Sequence, residues 1–296
     1  MSDRNGVLPS VGRKKVLMSF ERKRKLLNLA ALVLSTLAAL LGLFWLIFIL
    51  GDVLIHGIGA LGVNLLIEDP VPPGVTGGGL RHAFAGQFMI TLFAILIGVP
   101  CGILGGTFLA EYARGTNTAK FISILSDIMV SVPSIVIGTF IYALLVKPVG
   151  HFSGWSGSVA LAVIMIPVVL RTTEDMLSLV PWTMREAAFA LGAPYYKVIT
   201  QVVYRSAATG ILTGILLSIA RVAGETAPLL FTSFNNSFFS LNMNRPVASL
   251  TVTIFQYAMG PYDEWHSQAW AASLMITIFI LLITIAGRII IKWRYK

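Results

Sequence analysis

The chain contains six apolar runs that are each long enough to cross a lipid bilayer. A transmembrane helix needs about 20 apolar residues to span the ~30 Å hydrocarbon layer, and the shortest of these runs has 22. The runs are Leu26–Leu50, Phe84–Ala110, Phe121–Val146, Val159–Val180, Ala207–Phe231 and Ala269–Ile291. These lengths predict an all-α polytopic membrane protein with six transmembrane helices in residues 26–296 and a core at residues 84–291.

The low charge content of the chain supports lipid as its main solvent. Only 12% of the residues are charged, compared with roughly 25% in soluble domains. Hydrophobic residues make up 56% of the chain, and the mean hydropathy is +0.82. The apolar run at residues 26–50 is longer than the about 7–15 residues of a signal-peptide core, so we expect it to be a permanent span.

The positive charges lie almost entirely on one side of the predicted membrane. With the N-terminus inside, eighteen of the 22 Lys and Arg residues fall in inside segments and three in outside loops. Cytoplasmic loops carry such an excess, so the sequence predicts that both termini are cytoplasmic and that residues 1–25 form a basic cytoplasmic tail. The net charge of +9 does not indicate nucleic-acid binding, because this basic block lacks interleaved aromatic stacking platforms.

The sequence contains no pattern typical of catalysis or metal binding. We find no Walker A motif, no His-Glu-x-x-His motif and no Cys/His ligand cluster. The single cysteine excludes an internal disulfide. We therefore expect a non-catalytic chain with no cofactor of its own, so that any ATP is bound by another protein.

The predicted cytoplasmic loop at residues 186–198 has the pattern of two short helices. Its Glu-Ala-Ala start favours helix, Gly192 can take the left-handed conformation that ends a helix, and Pro194 suits the start of the next one. Small alanines on the surface of the first helix would let a partner protein approach closely. An amphipathic helix lying on the membrane surface explains the pattern equally well.

A family resemblance decides between these alternatives. Glu-Ala-Ala, three residues and then Gly, ahead of the penultimate span, resembles the EAA loop of ABC importer permeases. The continuation departs from that family, since residues 202–205 read Val-Val-Tyr-Arg where Ile-x-Leu-Pro is frequent. Four other stretches narrow the resemblance to the permeases of phosphate-specific ABC importers: TFLAEYARG, SVPSIVIG, RTTEDMLSLVPWTMREAAFALG and SIARVAGETAPLLFT.

The resemblance implies an ABC importer permease fold and a subunit that moves inorganic phosphate across the bacterial cytoplasmic (inner) membrane. Its implied partners are a second permease subunit, a dimer of nucleotide-binding ATPase subunits that holds ATP and Mg, an extracytoplasmic phosphate-binding protein, and membrane lipid. The coupling helix would meet the ATPase through Glu186, Ala187, Ala188 and Gly192.

Charged residues interrupt the fourth and fifth predicted spans. Arg171 precedes Glu174 and Asp175 by three and four residues, and Arg221 precedes Glu225 by four. Such residues share a helix face, and charges inside a membrane usually face a pathway or a partner. We therefore predict a substrate pathway lined by Arg171, Glu174, Arg221 and Glu225, with both guanidinium groups near mid-membrane. The alternative is that each arginine only satisfies its own acid.

The charges alone leave the substrate open. Sulfate and molybdate are tetrahedral oxyanions like phosphate, so a permease for either one is an alternative. A secondary anion transporter that needs no ATP is another, although it would have no need of an EAA loop.

Overall fold

The structure of the chain is a computed structural model that describes residues 10–72, 75 and 77–294. The first nine residues of the predicted basic tail and the last two residues of the chain lie outside the described residues. The chain divides into a first unit that ends at Ile55 and a second unit that begins at His56. The first unit consists mainly of one long apolar helix, and the second contains all the other elements described below.

The described residues are mostly helical and contain no β-strand. The helices in chain order are α1 (Ser10–Gly59), α2 (Asn64–Ile67), α3 (Arg81–Thr107), α4 (Asn117–Ser131), α5 (Ser134–Ile141), α6 (Lys147–Val149), α7 (Gly154–Ser178), α8 (Trp182–Ala190), α9 (Tyr195–Lys197), α10 (Tyr204–Ala223), α11 (Ala227–Thr232), α12 (Leu250–Ala258) and α13 (Asp263–Arg294). Wide π turns continue α3 (Phe108–Tyr112) and α5 (Tyr142–Val146) and precede α10 (Val198–Val203).

Within the described residues, five continuous helical segments are long and apolar enough to cross a membrane. They are Lys23–Gly59, Arg81–Tyr112, Gly154–Ser178, Tyr195–Ala223 and Asp263–Ile291. A sixth candidate is the pair Asn117–Ser131 and Ser134–Val149, whose axes are bent by 103°. The predicted all-helical fold is confirmed, with six spans if the bent pair crosses as one.

The third predicted span, Phe121–Val146, is not a single helix. It breaks at Pro133, which has no N–H group to donate, and the preceding Val132 takes an extended conformation (φ −69°, ψ 131°). A proline disfavours helical geometry at the residue before it, which explains the position of the break. At the end of α4, the Ser131 hydroxyl donates a hydrogen bond to the carbonyl of Asp127 at 2.9 Å.

The fifth predicted span, Ala207–Phe231, also ends earlier than predicted. Its helix stops at Ala223, Gly224 follows, and the chain restarts as α11 with Pro228 in its first turn. A further helix that was not predicted, α12, begins after Ser249, whose side chain accepts a hydrogen bond from the N–H of Val252.

The second unit is built around the close packing of α3 against α7. Gly98, Gly102 and Gly106 lie four residues apart on one face of α3, and their neighbours include Met165, Val169 and Leu170 of α7. A Cβ atom at Gly106 would lie 2.4 Å from the carbonyl oxygen of Leu170. Small residues at such spacing let two membrane helices approach closely. Within its most apolar stretch α7 is 67% buried, compared with 11% for α13, which makes α7 the central helix of this unit.

Candidate substrate pathway and coupling surface

Arg171 of α7 pairs with the two carboxylates that follow it on the same helix. Its Nη1 lies 3.3 Å from Oε2 of Glu174, and its Nε lies 3.7 Å from Oδ1 of Asp175. The Arg171 side chain is still 44% exposed, whereas that of Glu174 is only 19% exposed. Because a guanidinium has five N–H donors, Arg171 keeps donors free for another acceptor.

Arg171 and Glu174 line a cavity of about 530 Å³ between α7 and α4. On the α4 side, the Ser123 hydroxyl donates to the Glu174 carboxylate at 3.3 Å. The ionisable groups that line the cavity are Arg114, Lys120, Asp127, Arg171 and Glu174. Three cations therefore face two carboxylates. No group of three or more His, Cys, Asp or Glu residues placed to hold a metal ion occurs there or elsewhere in the described residues.

Arg221 and Glu225 form a second pair at the end of α10. Nε of Arg221 lies 3.8 Å from Oε1 of Glu225, and the two side chains are 46% and 17% exposed. Two neighbouring helices hold this helix end. Gln87 of α3 donates to the carbonyl of Ala223 at 3.2 Å, and Thr251 of α12 donates to the carbonyl of Glu225 at 3.0 Å.

The structure brings the predicted pathway residues together within each pair. Arg221 and Glu225 do not line the cavity that contains Arg171. That both arginines border one passage stays a prediction. The roles of Gln87 and Thr251 were not predicted from the sequence. Their acceptors are main-chain carbonyls that become free only because α10 ends at Ala223.

The predicted coupling loop folds as two helical segments joined at Gly192. The first is α8, and Gly192 has a φ of +78°, in the left-handed region that glycine tolerates best. Glu186 and Ala187 are exposed. Ala188, however, is buried in a cluster with residues of α7 and α10, including Leu177. The expectation that the alanines of this helix are exposed to a partner is therefore wrong for Ala188, which packs against α7 and α10 of the same chain.

A buried ion pair of α8 was not predicted from the sequence. Arg185, next to Glu186, forms an ion pair with Glu111 in the π turn that continues α3, and the two side chains are only 2% and 1% exposed. Nη2 of Arg185 donates to Oε1 of Glu111 at 2.5 Å, and Nε donates to Oε2 at 3.3 Å. The residues are 74 positions apart, so no helical spacing signals the contact.

The helical fold and the loop at residues 186–198 agree with the family that the sequence matches. Residues 98–294 match the family model described as "Binding-protein-dependent transport system inner membrane component", and the chain belongs to this family. It is thus an integral inner-membrane permease component, as its EAA loop predicted.

Individual relatives share nearly the whole chain. It is 49% identical to the phosphate transport system permease protein PstA of Yersinia pestis, over 93% of this chain and 94% of that protein. It is 51% identical to the protein of the same name from Pasteurella multocida, over 92% and 97%. Among solved structures, an inward-facing MetNI methionine ABC transporter matches with a TM-score of 0.55 at 20% identity, covering 72% of this chain and 93% of that one. At this identity the match supports the fold alone.

Proposed function

We propose that this chain is the permease subunit of an ATP-driven importer of inorganic phosphate. The observation that carries the proposal is the similarity of about one residue in two to phosphate permeases over nearly the full length of both proteins. The permease fold and the membrane arginines are consistent with it. The chain itself would perform no covalent chemistry and would hold neither ATP nor Mg.

The two arginine pairs would contact phosphate in turn. An arginine fork donates parallel hydrogen bonds to an oxyanion and stays charged at any working pH. Arg171 and Arg221 are each about half exposed, while Glu174 and Glu225 are mostly shielded. The carboxylates weaken the attraction enough for the anion to leave, since a pathway site must also release what it binds. The α4–α7 cavity would form the cytoplasmic part of this route.

Transport requires partners that supply the remaining parts. We infer a second permease chain of the PstC type, two PstB-like ATPase subunits that bind ATP and Mg, and a PstS-like phosphate-binding protein on the outer side. Glu186 and Ala187 offer an exposed face to the ATPase, and Gly192 sets the angle of the loop. Movement of this loop would shift the permease between two states that differ in access to the arginines.

The orientation follows from the charges. The excess of Lys and Arg in the tail, the coupling loop and the C-terminal segment favours a cytoplasmic location for both termini. The coupling loop then faces the compartment that holds ATP. The outer loops, including the one that carries α12, would face the binding protein.

Uptake of labelled phosphate by cells at low external phosphate tests the proposal, with labelled sulfate and molybdate measured alongside. Cells that lack the chain are compared with cells that receive the wild type, Arg171→Gln, Arg221→Gln or Arg245→Gln. Arg245 is the matched control, because its side chain is exposed in an outer loop and has no ion pair among the described residues. Membrane levels of every variant are measured by immunoblot.

We expect the wild type and Arg245→Gln to restore phosphate uptake and no other uptake. The Arg221→Gln protein should be present in the membrane but should transport no phosphate. With Arg171→Gln, phosphate uptake should fall at least tenfold. Restoration of sulfate or molybdate uptake instead would refute the proposed substrate. If the arginine variants are instead lost from the membrane, the result would support the alternative in which each arginine only stabilises the fold by pairing with its own carboxylate.

A further inference from the structure

Glu111 and Arg185 join α8 and the end of the preceding helix α7 to the π turn that continues α3. Glu111 lies in the π turn at the end of α3, and Arg185 lies in α8. Arg185 also donates from Nη1 to the carbonyl of Val180 at 2.6 Å and from Nη2 to that of Leu177 at 3.1 Å. The last carbonyls of a helix have no partner within that helix. Arg185 therefore caps the end of α7 while it holds the end of α3.

Aromatic residues close the same junction from the other side of the loop. The Tyr195 hydroxyl, just after Gly192, donates to the main-chain carbonyl of Glu111 at 2.8 Å. The Tyr195 ring stacks on Phe189 of α8 at 6.0 Å and meets the edge of Tyr112 at 5.5 Å. Arg185 of α8 and Tyr195 of α9 thus both bind Glu111 at the end of α3.

This junction connects the coupling surface with the predicted pathway. Glu186 and Ala187, which follow Arg185 directly, are exposed. On the other side, Arg171 lies seven residues before the last residue of α7, which corresponds to about 10 Å along the helix. About two turns of α7 therefore connect Arg171 with the carbonyls that Arg185 binds.

We propose that the Glu111–Arg185 ion pair is the link that transmits movement of the coupling helix to α3 and α7. The inference rests on the proposed function, since it assumes a partner ATPase and a transported anion. Arg185 and Glu111 are positioning residues in this role. They contact neither ATP nor substrate, and they fix α8 to the helices that must move.

A buried ion pair also contributes to folding, so the test must separate the two roles. Removing one partner leaves an unpaired buried charge, whereas replacing both partners with apolar residues of similar size is often tolerated. The key variant is therefore Glu111→Leu combined with Arg185→Met. Glu111→Gln is the second variant, because the amide keeps one acceptor oxygen and removes the charge. Arg205→Gln is the matched control, an exposed cation with no ion pair in the described part of the chain.

The complete importer, with its second permease chain, ATPase and binding protein, is purified and reconstituted into liposomes. Labelled phosphate taken up and ATP hydrolysed are measured in the same vesicles. We expect the double variant to assemble and to keep its ATPase rate within about twofold, while phosphate moved per ATP falls at least tenfold. Glu111→Gln should lower the ratio less, by about threefold, and Arg205→Gln should leave it unchanged.

The inference would be overturned if the double variant assembles and moves as much phosphate per ATP as the wild type. It would also be overturned if neither the double variant nor Glu111→Gln assembles, because the ion pair would then serve folding alone. A wild-type complex that moves sulfate instead of phosphate would refute the proposed substrate. The amount of sulfate transported per ATP hydrolysed would then test the role of the Glu111–Arg185 ion pair in the same way.

Discussion

Ser123 and Glu174 form a hydrogen bond that joins α4 to α7 inside the candidate pathway, with the hydroxyl oxygen 3.3 Å from the nearer carboxylate oxygen. The same carboxylate lies 3.3 Å from Arg171. Glu174 is therefore held from two sides, and its negative charge is fixed next to the guanidinium. This arrangement limits how strongly Arg171 can attract an anion. We therefore expect substitution of Glu174 to affect transport more than substitution of Asp175.

Glu174→Gln should make the cavity bind phosphate too tightly. The loss of one of the two nearby negative charges leaves Arg171 more attractive to an anion, so release becomes slow. In reconstituted vesicles we expect the maximal transport rate to fall about tenfold and inhibition by phosphate preloaded inside the vesicles to increase. Asp175→Asn is the matched control, because Asp175 is more exposed and lies farther from Arg171. It should lower the rate by no more than about twofold. Equal effects of both variants would contradict this assignment.

Gly106→Ala should weaken the packing of α3 on α7. The added Cβ would lie 2.4 Å from the Leu170 carbonyl oxygen, so the helices must separate. Overpacking of this kind costs about 1–3 kcal/mol. The free energy of unfolding in detergent, or the melting temperature, would report the loss. The control is Gly42→Ala in α1, where a Cβ would meet nothing within 4 Å, and a fall of the same size there would argue against the packing explanation.

Gly192→Ala should distort the coupling loop without any clash. A Cβ at this position has no neighbour within 4 Å, but the backbone φ of +78° is left-handed. An ordinary side chain in that conformation costs roughly 1–2 kcal/mol, and asparagine tolerates it better. We expect the amount of ATPase that copurifies with the chain to decrease for Gly192→Ala and to be nearly preserved for Gly192→Asn. Similar losses for the two substitutions would mean that backbone conformation is not the cause.

Gln87→Leu should loosen the end of α10 while leaving the fold stable. The amide of Gln87 donates to the Ala223 carbonyl, but its Oε1 is buried without a hydrogen-bond partner among the described residues. The substitution removes two hydrogen bonds, to the Ala223 carbonyl and to the Thr91 hydroxyl, and also one unsatisfied acceptor, and these effects oppose each other. We expect a change in the melting temperature of the purified protein of less than about 4 °C, together with a several-fold loss of phosphate uptake because Arg221 is less firmly positioned. An unchanged uptake would exclude the positioning role.

Much of this fold follows from hydrophobic length and helix-ending residues. The apolar runs locate the long helices, and Gly192 and Pro194 correctly mark the two halves of the coupling loop. The breaks were harder to place. Pro133 has the sequence signature of a kink, but the 103° bend depends on how α4 and α5 pack separately. The helix α12 lies outside the long apolar runs, so span length gives no signal for it.

The candidate site was predictable only where its partners are close in sequence. Arg171 with Glu174, and Arg221 with Glu225, follow from helical spacing. Ser123 and Glu111 act on partners 51 and 74 residues away, and such contacts depend on which helices are adjacent. Ala188 shows a related limit, because helix propensity does not tell which face of α8 turns toward its own spans.

The ion pair between Glu111 and Arg185 also has a consequence for how the protein is made. A ribosome adds about 5–20 residues per second, so the 74 residues between them take roughly 4–15 seconds to synthesise. During that interval Glu111 has no Arg185 to neutralise it, and burying a lone carboxylate is costly. We therefore expect the end of α3 to stay in contact with water at the membrane surface until Arg185 has been synthesised. The final placement of an early span would then depend on a late part of the chain.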